Sequence, residues 1–154
     1  MTLSGGAGAL AADVATDVGL VVEPWDDATR QRVAGRLPYF ASTANPIDVT
    51  GAMINDTAIL DHTLQVACES AETDVVLVVL GNADKAAQDL IEAVTRWYSR
   101  TDKPFFVTWT GGTGKPRADL LAASVPTYSE PMRAVRAIGR LVDFSLRPAS
   151  VDVQ

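Results

Sequence analysis

The sequence holds one cysteine, Cys68, and one histidine, His62, among its 154 residues. A single thiol makes no internal disulfide, so no covalent staple is expected and the cytoplasm is the expected compartment. One imidazole leaves any Ser-His-Asp triad or histidine-rich metal site to be built around His62 alone. Long apolar runs are missing too. The longest, residues 75–80, is far short of the roughly 20 needed to span a bilayer. Residues 1–6 carry neither the charged nor the apolar region of a secretory signal. Basic residues are in deficit, with 13 Lys and Arg against 19 Asp and Glu and a formal charge of -6. Such a chain gains nothing from counterion release on a phosphate backbone, which argues against nucleic acid as a partner.

What is present is the composition of one folded domain: 47% hydrophobic residues are enough to fill a core in a chain of this length. No repeat or low-complexity segment appears. Short apolar runs alternate with longer amphipathic ones. Val75-Val76-Leu77-Val78-Val79-Leu80 and Phe105-Phe106-Val107-Thr108-Trp109 read as strands buried on both faces of a parallel sheet. Shorter strands are expected at Leu20-Val21-Val22, at Ile47–Val49 and, as an edge where Pro is tolerated, at residues 125–128. Helices are expected over the segment carrying Leu10, Val14 and Val18, from Trp25 to about Arg36, and after Asn55-Asp56 with Ile59, Leu60, Leu64, Ala67 and Cys68 inward. Others follow at residues 84–99, with Ala87, Leu90, Ile91, Val94 and Tyr98 inward, at residues 117–123, and after Pro131 with Met132, Val135, Ile138, Leu141 and Val142 inward.

Strand–helix alternation implies βαβ units and an α/β fold, a flavodoxin-like doubly wound parallel sheet in three α/β/α layers. The domain is expected over residues 1–147, with a C-terminal tail at 148–154. The first strand is truncated, since only Met1 to Leu3 precede the first helix. Either that strand is a stump or the chain is a stretch of a longer protein, and a fragment or shortened reading frame is the favoured explanation.

Ser4-Gly5-Gly6-Ala7-Gly8 precedes Ala9-Leu10-Ala11-Ala12-Asp13 and places a turn almost free of side chains at a helix N-terminus. Unsatisfied N–H groups and the positive end of the helix dipole make such a turn an anion cradle, although a tight strand–helix turn needs no ligand. The second notable site is the loop Asn45-Pro46-Ile47-Asp48, where the proline forces an extended Asn45 and turn residues fix the loop. Other patterns carry less. Thr108-Trp109-Thr110-Gly111-Gly112-Thr113 spells a flavodoxin phosphate loop, but it follows a late strand, which argues against flavin. Lys115 is followed by Pro116, and Trp109 stands where the first glycine of a P-loop belongs. His62 has nothing at ligand spacing, so no metal is expected, and Cys68 reads as a core residue. Trp25, Trp97 and Trp109 fall on separate elements and build no stacking platform.

The ordered series Ser4–Asp13, Gly19-Leu20, Leu37-Pro38, Asn45-Pro46-Ile47-Asp48-Val49-Thr50-Gly51, Trp109-Thr110-Gly111-Gly112, Val125–Pro131 and Ala134-Val135-Arg136-Ala137 resembles one domain of the NDP-forming acyl-CoA synthetases, relatives of succinyl-CoA synthetase. The resemblance covers nearly the whole chain. It implies a multi-domain acid–thiol ligase that works through an acyl phosphate and a phosphohistidine, with CoA and ATP or GTP with Mg serving the whole enzyme. By the same resemblance, Ser4, Gly5, Gly6, Ala7 and Gly8 would form the phosphate-binding turn, the backbone N–H groups of Gly6, Ala7 and Gly8 donating to a phosphoryl group carried by another domain, with Asn45 and Asp48 in the supporting loop. The expected partners are the CoA-binding, phosphohistidine-bearing domain and the ATP-grasp domain, with a second copy of this chain as a further candidate. The family's Ser-His-Thr-Gly motif is absent here, so this chain holds no catalytic residue and is not expected to be active alone. The competing reading is a non-catalytic interaction or small-anion-binding module that keeps the fold.

Overall fold

The β-branched run after Asp74 forms strand β1 (Val76–Gly81), and the aromatic run after Pro104 forms β2 (Phe105–Thr110). They pair in parallel from Val76↔Phe105 to Gly81↔Thr110, and the two-residue β3 (Thr127–Tyr128) pairs with β2. This computed structural model describes residues 1–147, and the expected tail at 148–154 lies outside the described residues. The helices are α1 (Gly5–Asp17), α2 (Asp27–Ala34), α3 (Ala58–Glu69), α4 (Ala87–Tyr98), α5 (Lys115–Ala122) and α6 (Pro131–Ser145), with 3-10 turns at Gly51–Ile54 and Asp84–Ala86.

Two further chain segments extend the sheet through single bridges. Thr2 pairs in parallel with Val79 on one side and with Asp48 on the other, and Asp48 also pairs with Ser42. Across the sheet the lateral order is therefore residue 48, residue 2, β1, β2, β3, which in chain order is 2-1-3-4-5. That is the order of a flavodoxin-like doubly wound fold. The short first strand at residues 1–3 is central: Thr2 N–H donates to Ile47 O at 2.7 Å, Val49 N–H to Thr2 O at 2.9 Å and Val79 N–H to Met1 O at 2.9 Å.

The strands' alternation divides the core. Val76, Val78 and Leu80 face the larger cluster with α3 and α4, whereas Leu77 packs with Ala11, Ala15 and Val135 under α1 and α6. A groove of about 760 Å³ opens on this second face, lined among others by Gly8, Pro46, Leu20, Val22 and Ile138. All three tryptophans are buried, and each indole N–H finds an acceptor: Thr73 Oγ1 for Trp25, Asp61 Oδ1 for Trp97 and Asp84 Oδ1 for Trp109.

Several expectations need correction. Residues 20–22 form no strand. Leu20 and Val22 instead lie over the α1–α6 layer beside Val14 and Val18, so their apolar side chains cover a helix pair rather than extend the sheet. Helix α1 does not bury Leu10, which is 58% exposed; its inward face is Gly8, Ala11 and Ala15. The small residues let α6 approach closely. Helix α2 stops at Ala34, short of Arg36. On α4 the inward aromatic is Trp97, while Tyr98 is half-buried, and on α6 Met132 and Leu141 are exposed.

Gly139 marks the tightest point of the α1–α6 contact. A Cβ there would stand 2.8 Å from Val18 Cγ2 and 3.0 Å from Val18 Cβ. Gly139→Ala gains about 1 kcal/mol of helix propensity. Overpacking costs about 1–3 kcal/mol, and the stiff β-branched valine cannot turn away. The variant is expected to lose about 1 kcal/mol net, read as a lower urea midpoint, and in a Val18→Ala background, where Cγ2 is gone but Cβ stays, the same substitution should cost less. An unchanged midpoint in the single variant contradicts the packing account.

Candidate functional site

Parallel strands deliver their following loops to one edge of the sheet, and in this topology the switch between neighbouring crossovers falls beside the first strand. The residue-2 strand feeds α1 at that point. Ser4 is the N-cap, with extended backbone (φ -142, ψ 114), and its side chain makes no capping bond. The cap is held from behind: Ser4 N–H donates to Thr2 Oγ1 at 3.0 Å, and the Thr2 hydroxyl lies 3.0 Å from Ser4 O.

The amides of the turn divide into two sets. Gly8 N–H donates to Ser4 O at 3.0 Å, and Gly8 itself is buried, with a Cβ there falling 2.8 Å from Thr2 Cγ2. Among the described residues no acceptor meets the N–H groups of Gly5, Gly6 or Ala7. Gly5 and Gly6 are exposed and Ala7 is half-buried. The first turn of α1 carries no acidic residue of its own. The free-donor set is thus Gly5, Gly6 and Ala7, with Gly8 already engaged in the helix.

The two supporting-loop residues part company. Asp48 stands beside the turn: its Oδ1 accepts from Thr50 N–H at 2.9 Å, and its Oδ2 lies 3.0 Å from the position of a Gly5 Cβ. Its carboxylate brings negative charge to the positive end of α1. Asn45, joined to Pro46 by a cis peptide bond, lines the groove beneath α1 instead.

One residue at the same edge escaped the sequence reading. Asp84, after β1, accepts from Thr113 N–H and Thr113 Oγ1, both at 2.8 Å, and from Trp109 Nε1 at 3.1 Å. Its carboxylate also fills the space where a Gly112 Cβ would be, and Gly111 and Gly112 both have positive φ (76 and 68). The Gly111–Gly114 loop is therefore wrapped around an acid rather than open to an anion. An Asp at the start of a helix gives no hint of this. The signal was in the paired glycines, which mark a backbone folded tightly over something. Lys115 pairs with Asp119 at 2.6 Å and is not directed to the edge by any other contact.

The remaining candidates are structural. His62 is half-buried, with Nε2 2.8 Å from Arg32 O. Cys68 is half-buried against the larger core, and burial pushes its thiol pKa up. Among the described residues, no three His, Cys, Asp or Glu side chains are grouped to hold a metal ion, and no helix is long and apolar enough to cross a membrane.

No protein-family model matches the chain. Individual proteins do. The α subunit of the ADP-forming acetate–CoA ligase I of Pyrococcus furiosus is 30% identical over 151 residues, which cover 94% of this chain and 32% of the relative. The acetate–CoA ligase [ADP-forming] I of Archaeoglobus fulgidus is 28% identical over 147 residues, covering 94% of this chain and 20% of the relative. The chain is homologous to one part of the ADP-forming acetate–CoA ligases. It spans about a third or less of the length of these relatives. The fold of this ligase homologue is also that of a solved structure, the dinucleotide forming acetyl-coenzyme A synthetase 1 of Ca. Korarchaeum cryptofilum, apo form, with a TM-score of 0.80, 24% identity, and coverage of 94% of this chain and 32% of that one. A second structure of that protein, in complex with phosphate and ADP, matches with a TM-score of 0.77 at 24% identity over 96% of this chain and 34% of that one.

Asp84 gives the site a pH signature. Hydrogen bonds from the Thr113 amide, the Thr113 hydroxyl and the Trp109 indole hold its carboxyl below the ordinary carboxylate value, and Thr29 does the same for Asp26 at the α2 N-cap. A depressed folded pKa adds stability above about pH 4 that disappears as pH falls through the folded value. The Tm is therefore expected to fall less between about pH 5 and pH 3 in Asp84→Asn than in the parent. Equal acid slopes in thermal melts contradict the assignment.

Proposed function

We propose that the chain is the phosphate-cradling, domain-docking part of an acid–thiol ligase of the NDP-forming acyl-CoA synthetase type. The observation that carries this reading is the set of three unpartnered amides, Gly5, Gly6 and Ala7, at the switch point of a domain homologous to ADP-forming ligases. In such an enzyme the chemistry is phosphoryl transfer, for which preorganised donors matter more than covalent machinery. Gly5, Gly6 and Ala7 would donate to oxygens of a phosphoryl group presented by a sister domain, with the α1 dipole favouring the negative charge. Thr2 and Ser4 keep the amides aimed outward. CoA and nucleotide would be handled by other parts of the enzyme.

Asp48 has a definite role in this reading. At a turn whose Gly5 and Gly6 are exposed, a carboxylate about 4 Å away opposes a bound anion by about 1 kcal/mol per unit charge in the water-like limit. It therefore keeps binding weak enough for the phosphoryl group to leave again. The same charge also serves the alternative reading, in which Asp48 completes α1 internally and the domain only docks.

Titration with inorganic phosphate, followed by amide NMR, separates the two. The phosphoryl reading expects saturable shifts at Gly5, Gly6 and Ala7 with little change at Gly8, and binding roughly 3- to 10-fold tighter in Asp48→Asn. Absence of shifts at these amides in both proteins, up to tens of millimolar phosphate, contradicts the reading and leaves the docking module.

A further inference from the structure

The outer surface of the α1–α6 layer is divided by charge. At about 100° per residue, Leu10, Asp13 and Asp17 fall opposite the buried Gly8, Ala11 and Ala15 of α1. On α6, Arg133, Arg136 and Arg140 fall opposite the buried Ala134, Val135 and Ile138. All three arginines and both aspartates are exposed, and among the described residues none of the five makes an ion pair within 4.0 Å. In a chain of formal charge -6, an uncompensated basic ridge is unusual, and here it runs beside an acidic one.

The Gly139–Val18 contact fixes how the ridges align. Both helices follow parallel strands and so run in the same direction. With a rise of about 1.5 Å per residue, Asp13 and Asp17 lie about 7.5 and 1.5 Å before that contact along the helix direction. Arg133 and Arg136 lie about 9 and 4.5 Å before it, and Arg140 about 1.5 Å after it. Each aspartate therefore sits at a height between two arginines.

We infer that this face pairs with a second copy of the same chain. A two-fold axis in the interface, parallel to the helices, preserves these heights and lays α6 of one copy on α1 of the other. Asp13 then meets Arg133 and Arg136 of the partner, and Asp17 meets Arg136 and Arg140, twice per dimer, as an isologous contact requires. Leu10, 58% exposed, arrives beside the partner's Met132, 39% exposed. The perpendicular two-fold would set arginine against arginine and is disfavoured. The Gly5–Ala7 turn stays clear at the end of the face, so the pairing is independent of the phosphoryl reading. Two helices of this length make a patch roughly 20 Å square, about 800 Å² over both partners and below the size of stable interfaces, so the dimer is weak and transient and held largely by charge.

Sedimentation velocity of the chain at about 100 μM tests this at low and high salt, where the screening length falls from about 10 Å at 0.1 M toward 3 Å at 1 M. The expected result is a dimer at about 50 mM salt that dissociates at about 500 mM, where the screening length is roughly threefold shorter. The triple variant R133D/R136D/R140D and the double variant D13R/D17R should each be monomeric at low salt. Their equimolar mixture should restore a one-to-one dimer, which a loss of folding cannot imitate. The milder Arg136→Gln should weaken pairing at least about fivefold. A parent chain that is monomeric at low salt, or charge-reversed variants that pair as the parent does, overturns the inference.

Discussion

The structure depends on a three-residue strand inserted between two others. Thr2 binds Ile47 and Val49 on one side, while Met1 and Leu3 bind the β1 edge through Val79 on the other. Without those bonds, the residue-48 segment would have no link to β1, and the sheet would stop at three strands. The same residue sets the site. Thr2 is 2% exposed, its hydroxyl holds the Ser4 backbone, and its methyl group lies against Gly8. Strand pairing, helix start and donor orientation thus converge on a single buried threonine, and the absence of a side chain at Gly8 is what lets α1 sit on it.

Electrostatics at the carboxyl edge is a balance of opposed charges at short range. The α1 terminus offers partial positive charge and three open amides, and Asp48 sets a carboxylate beside them. After β1 at the same edge, Asp84 is committed to Thr113 and Trp109. The two acids do different work: Asp84 shapes a glycine loop and anchors a buried indole, while Asp48 modulates a surface that stays open. Under the proposed function, the open loop is where this edge would take a negatively charged group.

Much of this was legible in the residues. A continuous β-branched run marked β1 and an aromatic-rich run marked β2, and the alternation of elements implied the doubly wound sheet. The glycine-rich turn pointed to the α1 terminus, where Gly5 and Gly6 leave the backbone exposed. What failed to read out was packing that depends on partners far along the chain. Leu10 looked like a core residue from its spacing, but the buried face of α1 is Gly8, Ala11 and Ala15, small residues that suit the close approach of α6 at Gly139 and leave Leu10 exposed. Leu20 to Val22 looked like a strand, but their place in the sheet is taken by residues 1–3 and 47–49. Asp84 carries no local mark of its role, since its partners Trp109 and Thr113 are 25 and 29 residues away.

The central claim is that the Gly5–Ala7 amides stand free, held outward by Thr2, to receive negative charge. A crystal structure of the chain grown in phosphate tests it most directly. The account predicts an anion within hydrogen-bond distance, about 3 Å, of at least two of the three nitrogens. An unoccupied turn whose amides are closed off by the Asp48 carboxylate would contradict it.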